Sequence, residues 1–101
     1  MARLIWTKKA IADLNDIAAY IALDNPEAAK RLARRVYAHV KQISRHPLSG
    51  SIPKELENLR YRQIVEPPCR IFYEVRHEAV LVLHVIRGEQ ILRIRNLELP
   101  E

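Results

Sequence analysis

The sequence predicts an α+β fold: an N-terminal strand, an antiparallel α-helical hairpin, and a three-stranded antiparallel meander that forms one small sheet. Two observations carry this prediction. Between residues 8 and 45, apolar residues recur at the three- and four-residue spacing of amphipathic helices. Between residues 60 and 90 the pattern changes to alternation and then to an unbroken apolar run, which are typical of strands with one or both faces covered.

The first strand is predicted over Arg3–Trp6, a short β-branched and aromatic run. Thr7 follows with the short hydroxyl side chain that caps helix N-termini. The first helix begins at Lys8 and ends near Leu23. Its apolar stripe consists of Ala10, Leu14, Ile17 and Ile21, with Ile11 and Ala18 beside them.

The second helix is predicted from Pro26 to about Arg45. Proline disfavours helical backbone at the preceding residue but suits the first position of a new helix, so one helix ends where the next begins. Asp24 or Asn25 can cap the second helix. Two amphipathic helices joined by so short a connection should form an antiparallel hairpin. The apolar stripe of the second helix consists of Ala29, Leu32, Ala33, Val36, Val40 and Ile43.

A connection rich in turn-forming residues follows, with two prolines and Gly50, and residues 54–59 are compatible with a helical turn. The three strands are predicted over Tyr61–Glu66, Cys69–Val75 and Ala79–Ile86. Because the last of these is almost wholly apolar, we expect it at the centre of the sheet. The turn between the second and third of these strands lacks the Asn-Gly pair that tight hairpins favour, so its type is left open. Residues 89–99 form a charged tail compatible with a short helix or an added strand.

Length and composition indicate one small domain over residues 1–101 that is expected to be soluble and cytoplasmic. The single cysteine, Cys69, excludes an internal disulfide and is expected to be a small buried residue rather than a nucleophile. The N-terminal apolar run is too short for a signal peptide, and no stretch has the ~18 apolar residues of a membrane span. The four histidines lie at no metal-ligand spacing, so neither a metal nor a cofactor is expected.

The net charge of +5 and the isoelectric point of about 9.7 favour a polyanionic partner, such as nucleic acid, a ribosome or an acidic protein. Much of this charge is on the outer face of the second helix, where a single acidic residue, Glu27, faces six basic ones. This face is either simply solvated or an electrostatic surface for an acidic partner. The basic residues are Lys30, Arg31, Arg34, Arg35, Lys41 and Arg45.

Arginines also mark the ends of the predicted strands. Arg62, Arg70 and Arg87 could converge if the strands are adjacent, and a planar guanidinium suits phosphate or carboxylate. The alternative is ion pairing with the neighbouring glutamates, Glu66, Glu74, Glu78 and Glu89. His84, within the apolar strand, is either a hydrogen-bonded core residue or a proton shuttle. Tyr73 is expected to pack on the sheet with its hydroxyl bound to one partner.

Two motifs in this order resemble the RelE/ParE family of bacterial type II toxins, and the resemblance spans essentially the whole chain. One is P-x-R-I-x-Y, formed by Pro68, Arg70, Ile71 and Tyr73. The other is V-x-x-L-H-V-x-R, formed by Val80, Leu83, His84, Val85 and Arg87.

The resemblance implies one of two activities. RelE-like toxins enter the ribosome and cleave mRNA with basic residues on the sheet and a C-terminal aromatic residue or histidine; Lys54, Arg62, His84 and Arg87 would then be the catalytic candidates. ParE-like toxins inhibit DNA gyrase and do not preserve the nuclease residues. After Arg87 the sequence contains no Tyr, His or Phe. The ParE-like branch is therefore favoured, with the ribosome-dependent mRNA endonuclease as the alternative.

The resemblance also implies a cognate antitoxin whose C-terminal segment wraps the toxin and folds as it binds, giving a hetero-oligomer. A nucleic-acid-binding domain without toxicity is a third hypothesis. The residues expected to contact the antitoxin or DNA gyrase are Arg31, Arg34, Arg60, Arg62, Arg70, Tyr73 and Arg87.

Overall fold

The structure is a computed structural model that describes residues 2–54 and 60–88. Its elements follow the predicted order, and the strands β3 and β4 each end one residue later than expected. The expectations for residues 55–59 and 89–99 lie outside the described residues. The elements are β1 (Arg3–Trp6), α1 (Lys8–Ala22), α2 (Pro26–Arg45), β2 (Tyr61–Glu66), β3 (Cys69–Arg76) and β4 (Ala79–Arg87).

Both helices begin at side-chain caps. The Thr7 hydroxyl accepts a hydrogen bond from the Ala10 N–H at 3.1 Å, as its position before α1 predicted. Of the two candidate caps for α2, Asn25 is the one used, because its side-chain oxygen accepts from the Ala28 N–H at 3.0 Å. Pro26 then occupies the first turn of α2, where its missing N–H has no cost.

The sheet has the strand order β1-β4-β3-β2. The pairs β2–β3 and β3–β4 are antiparallel, which confirms the predicted meander. β1 joins β4 in parallel, so the sheet is mixed rather than purely antiparallel. β4 is therefore an interior strand, as its apolar sequence predicted. The peptide bond between Pro67 and Pro68, which separate β2 from β3, is cis.

Both helices pack against the same face of the sheet. Their buried residues, among them Leu14, Leu32 and Val36, form the main core cluster with the strand residues on that face. A second cluster consists of residues from the opposite face, including Phe72 and Leu81. β4 contributes to both clusters, which explains its unbroken apolar sequence. The buried members of β4 are Ala79, Val80, Leu81, Val82, Leu83, His84, Val85 and Ile86.

The start of α1 covers part of the β4 edge that β1 leaves open. β1 pairs only with residues 79–82 of β4. At the end of this range the Thr7 hydroxyl donates to the Val82 carbonyl at 2.8 Å, and farther along β4 an Asp13 carboxylate oxygen accepts from the Val85 N–H at 3.0 Å. An uncovered edge exposes backbone groups that can pair with other chains. α1 thus protects this edge with side chains instead of a strand.

The β3–β4 hairpin adopts a turn that its residues do not favour. His77 and Glu78 form the two-residue loop, and their φ angles are 49° and 61°. Positive φ at both positions is the type I′ pattern, which normally uses Asn-Gly. Left-handed backbone costs residues with a Cβ about 1 kcal/mol or more each.

Replacing the loop by His77→Asn and Glu78→Gly should therefore stabilise the fold by about 1 kcal/mol. In thermal unfolding, this corresponds to a rise of about 4–8 °C in Tm. The control is His77→Ala with Glu78→Ala, which removes the same two side chains but keeps a Cβ at both positions. An equal Tm gain in the control, or a loss in the Asn-Gly variant, would contradict the backbone explanation.

Candidate functional site

Tyr73 anchors the connection between α2 and β2. Its ring is buried, its hydroxyl donates to the Pro47 carbonyl at 2.7 Å, and the same oxygen accepts from the Gly50 N–H at 2.9 Å. Burial raises the pKa of the Tyr73 phenol, although the Gly50 N–H and the Arg62 charge oppose that effect. The phenol therefore stays protonated and able to donate at neutral pH. Tyr73 packs on the sheet, as predicted, but its hydroxyl binds two backbone partners where one was expected.

Arg62 holds the same connection from β2. Its guanidinium donates to the carbonyls of Leu48 and Gly50, at 3.1 and 2.8 Å. Two apolar side chains of this connection lie at the surface: Leu48 is 68% exposed and Ile52 is 51% exposed. Together they border a groove of about 240 Å³, here called the loop groove. It is lined by Leu48, Ile52, Arg60, Tyr61, Arg62 and Val75.

Glu74 joins two arginines beside the loop groove. Its carboxylate is 3% exposed and lies 2.7 Å from the Arg76 guanidinium. The Arg60 Nε lies farther away, at 3.8 Å, and the Arg60 side chain is 85% exposed. A charge this exposed gains little from such a pair. Arg60 is thus available for contact with another molecule, whereas Glu74 is neutralised mainly by Arg76.

Arg70 lies on the sheet face opposite the helices. It pairs across the sheet with Ile86 of the second cluster, and its Nε donates to the Gln63 side chain at 2.9 Å. Its guanidinium also lies over the Phe72 ring, 5.0 Å from the centroid. A cation in this position is attracted by the ring quadrupole. Arg70 is therefore part of a local network on this face.

Arg87 lies on the helix side, with its guanidinium 4.8 Å from the centroid of the Tyr20 ring of α1. Along the sheet, Arg87 is opposite Cys69 and Arg62 is opposite Tyr73. Cys69 and Tyr73 are four residues apart on β3, about 13 Å. Although the strands are adjacent, Arg62, Arg70 and Arg87 therefore do not converge.

His84 is buried against α1. Its Nδ1 lies 2.6 Å from an Asp13 carboxylate oxygen. The other Asp13 oxygen lies 2.5 Å from the Lys9 ammonium. Burial by itself raises the pKa of Asp13, but the contacts with His84, Lys9 and the Val85 N–H outweigh it, so the pKa is lowered. These buried contacts agree with the interpretation of His84 as a core residue.

A cluster that the sequence did not indicate joins α2 to the end of β2. The Arg35 Nε and the His39 Nδ1 each lie 3.1 Å from a different oxygen of Glu66. Arg35 also donates to the Pro67 carbonyl at 3.2 Å. The spacing of Arg35 and His39 places them one turn apart on α2, but no local pattern identifies Glu66 as their partner. One alternative from the sequence paired Glu66 with an arginine at the end of a strand, but its partners are the helix residues Arg35 and His39.

The remaining residues predicted for catalysis or partner contact are all exposed. They are Lys54, Arg31 and Arg34. Arg31 and Arg34 lie on the outer face of α2, and Lys54 immediately precedes residues 55–59. Within residues 2–54 and 60–88, no group of three or more His, Cys, Asp or Glu side chains could hold a metal ion. In the same ranges, neither helix is both long enough and apolar enough to cross a membrane.

Comparisons with known proteins identify the family. Residues 4–92 match the model of the ParE toxin of the type II toxin–antitoxin system parDE. The curated toxin RelE2 of Caulobacter vibrioides is 33% identical over 93% of this chain and 100% of its own length. In a solved structure of the chromosomal ParDE system of P. aeruginosa, one chain is 27% identical and gives a TM-score of 0.72, with 86% of this chain and 96% of that chain covered.

A second solved structure shares the fold. It is the toxin–antitoxin complex RelBE2 of Mycobacterium tuberculosis, in which the matching chain is 19% identical with a TM-score of 0.57. The match covers 85% of this chain and 96% of that chain. At this identity the likeness concerns the fold alone. The family model, by contrast, spans most of the sequence, so the chain belongs to the ParE toxin family of type II toxin–antitoxin systems.

Proposed function

We propose that this toxin inhibits DNA gyrase, that it does so without catalytic residues of its own, and that a cognate antitoxin neutralises it in the cytoplasm. The observation that carries the proposal is the placement of the four candidate nuclease residues. Arg62, His84 and Arg87 are engaged by other groups of the chain, and Arg62 and Arg87 lie at opposite ends of the sheet. Lys54 is exposed within the connection between α2 and β2.

RNA cleavage needs several groups around one phosphate. A 2′-hydroxyl must lose a proton, the charged phosphorane must be stabilised, and the leaving oxygen must gain a proton. The Arg62 guanidinium is bound to the Leu48 and Gly50 carbonyls, whereas the Arg87 guanidinium lies over the Tyr20 ring of α1, so the two are not directed at one phosphate. His84 is buried against Asp13. These placements support binding rather than cleavage.

The loop groove is the surface that best fits a protein partner. It combines exposed Leu48 and Ile52 with the charged Arg60 head, and protein interfaces combine apolar anchors with charged or polar borders. An antitoxin segment that folds on binding would bury these side chains. Three further residues remain predicted contacts with a partner protein, although each also contacts other groups within the toxin. They are Arg70, Tyr73 and Arg87. The P. aeruginosa relative was solved as a toxin–antitoxin system, which supports an antitoxin partner here.

The gyrase proposal is tested with purified toxin, gyrase and relaxed plasmid. We expect blocked supercoiling or accumulation of linear DNA, and protection when the antitoxin is added first. Two single variants separate the hypotheses. Arg60→Ala removes an exposed arginine of the predicted partner set and should weaken inhibition about tenfold, a typical loss for an interface arginine. Lys54→Ala removes a cation that belongs only to the nuclease set and should leave inhibition unchanged.

The mRNA endonuclease alternative is tested in a translation extract by mapping message ends. Intact message at saturating toxin agrees with the gyrase proposal. Message cut at the ribosomal A site, with gyrase unaffected and cutting reduced by Lys54→Ala, would replace the proposal by the alternative. Growth that continues normally after induction of the toxin would instead favour a non-toxic nucleic-acid-binding domain.

A further inference from the structure

The outer face of α2 carries a straight row of cations. Its members are spaced by four, seven and four residues, which places them within roughly one sixth of a helical turn of each other. From end to end they extend over about 22 Å of helix axis. All are exposed, while the apolar side chains of α2 pack toward the sheet. The row, here called the α2 stripe, consists of Lys30, Arg34, Lys41 and Arg45.

Little within α2 neutralises the α2 stripe. The acidic residue of this helix, Glu27, approaches Lys30 at 3.7 Å, but the two side chains are 68% and 62% exposed. Such an exposed pair contributes ~0–1 kcal/mol and is screened by salt. Arg31 adds a further exposed cation beside the stripe, whereas Arg35 is directed to Glu66. The helix therefore presents a strongly positive surface.

The same surface has few apolar anchors. Within α2, all of whose residues the structure describes, the exposed large hydrophobic residue is Tyr37, at 45%. Its ring packs against Trp6 with the centroids 4.9 Å apart, which holds it in place between Arg34 and Lys41. Protein partners are usually bound through buried aromatic and aliphatic anchors. Lysine, arginine and tyrosine side chains without such anchors are the groups that contact DNA phosphates.

We propose that the α2 stripe binds the sugar–phosphate backbone of duplex DNA without reading its sequence. With one base pair per ~3.4 Å, the stripe spans about six base pairs along the helix axis of DNA. Each lysine or arginine that neutralises a phosphate releases counterions, so affinity depends steeply on salt. This binding is separate from gyrase inhibition: it needs no gyrase, and either activity can fail without the other. Such binding would bring the toxin to the duplex DNA on which a topoisomerase acts.

The test measures binding of a labelled 20-base-pair duplex by fluorescence anisotropy between 50 and 200 mM NaCl, without gyrase. Four phosphate contacts predict a slope of about −3.6 in log K against log salt, or roughly a 100- to 200-fold loss of affinity across this range. The double variant Arg34→Gln, Lys41→Gln should reduce the slope by about two and weaken binding at 50 mM at least tenfold.

The matched control is Arg3→Gln with Lys8→Gln, which removes the same charge from exposed positions on β1 and α1. Its salt slope should equal that of the parent, and circular dichroism should show the same melting temperature for all three proteins. No binding at 50 mM salt would overturn the proposal. So would equal losses in both double variants, which indicate net charge rather than the stripe, or tighter binding of single-stranded RNA.

An acidic protein is the competing occupant. If the Arg34, Lys41 variant lost affinity for the antitoxin while its DNA binding matched the parent, the stripe would be a protein-binding surface and the DNA proposal would be wrong.

Discussion

Replacing Gly50 with alanine is expected to lower the free energy of unfolding by about 3 kcal/mol. A Cβ at this position would lie 2.7 Å from the Gln63 carbonyl oxygen and 2.8 Å from a Tyr73 ring carbon. Contacts this short force the backbone to move. That movement would break the bonds by which Tyr73 and Arg62 hold the connection between α2 and β2. Urea unfolding followed by the fluorescence of Trp6, the single tryptophan, measures the loss.

The other glycine of the chain is a matched control. A Cβ at Gly88 would meet only the Pro68 carbonyl at an ordinary 3.5 Å. Gly88→Ala should therefore change stability by no more than ~1 kcal/mol, and an increase is expected because alanine restricts the unfolded chain. Equal urea midpoints for the Gly50 and Gly88 variants would refute the steric argument.

Tyr73→Phe keeps the ring and removes the hydroxyl. It should lower the free energy of unfolding by about 1–2 kcal/mol through the lost hydrogen bonds alone.

Replacing Asp13 with alanine is expected to destabilise the fold by about 3 kcal/mol at neutral pH. The substitution leaves the Val85 N–H on the β4 edge without its acceptor and removes the carboxylate beside buried His84 and Lys9. Asp13→Asn keeps the shape and an oxygen for Val85, and it removes only the charge. It should therefore cost less than alanine. Asp16→Asn, an exposed position on the same helix, should have little effect.

The contribution of Asp13 should also depend on pH. Its pKa is lower in the folded protein than its ordinary value of 3.8. The unfolded chain therefore binds a proton more readily than the folded one, and stability falls as the solution becomes more acidic. The contribution is fully present above that ordinary value and is lost as pH falls through the lower folded pKa. Unfolding free energies measured between pH 5.5 and pH 3 should fall more steeply for the parent than for Asp13→Asn. Parallel curves would show that Asp13 does not carry this dependence.

Much of the fold could be predicted because its signals are local. Thr7, Asn25 and Pro26 mark helix boundaries through the backbone groups beside them, and apolar spacing alone distinguishes helix from strand. The unbroken apolar sequence of β4 likewise predicted an interior strand. The type of the turn at His77 and Glu78 could not be predicted, because its residues do not favour the backbone conformation that they adopt.

The candidate site was less predictable because its contacts are between distant residues. Asp13 and His84 are 71 positions apart, and neither lies in a pattern that pairs it with the other. The sequence identifies the arginines as candidate binding residues. Strand register, however, decides on which face and at which end of the sheet each arginine lies. An irregularity in the β3–β4 pairing between Phe72 and Tyr73 shifts that register. A shift of one residue moves a side chain to the opposite face.

The sequence by itself determined the order of the helices and strands, their bounds to within about one residue, the burial of Cys69, and the family resemblance. These follow from neighbouring residues, whose steric and apolar preferences act over one or two turns. Only the tertiary structure decided that β1 joins β4 in parallel and that Arg62 and Tyr73 hold the connection at Gly50. It also decided that Arg62, Arg70 and Arg87 contact different parts of the chain. Those outcomes depend on how distant segments pack, and local preferences do not encode which surfaces meet.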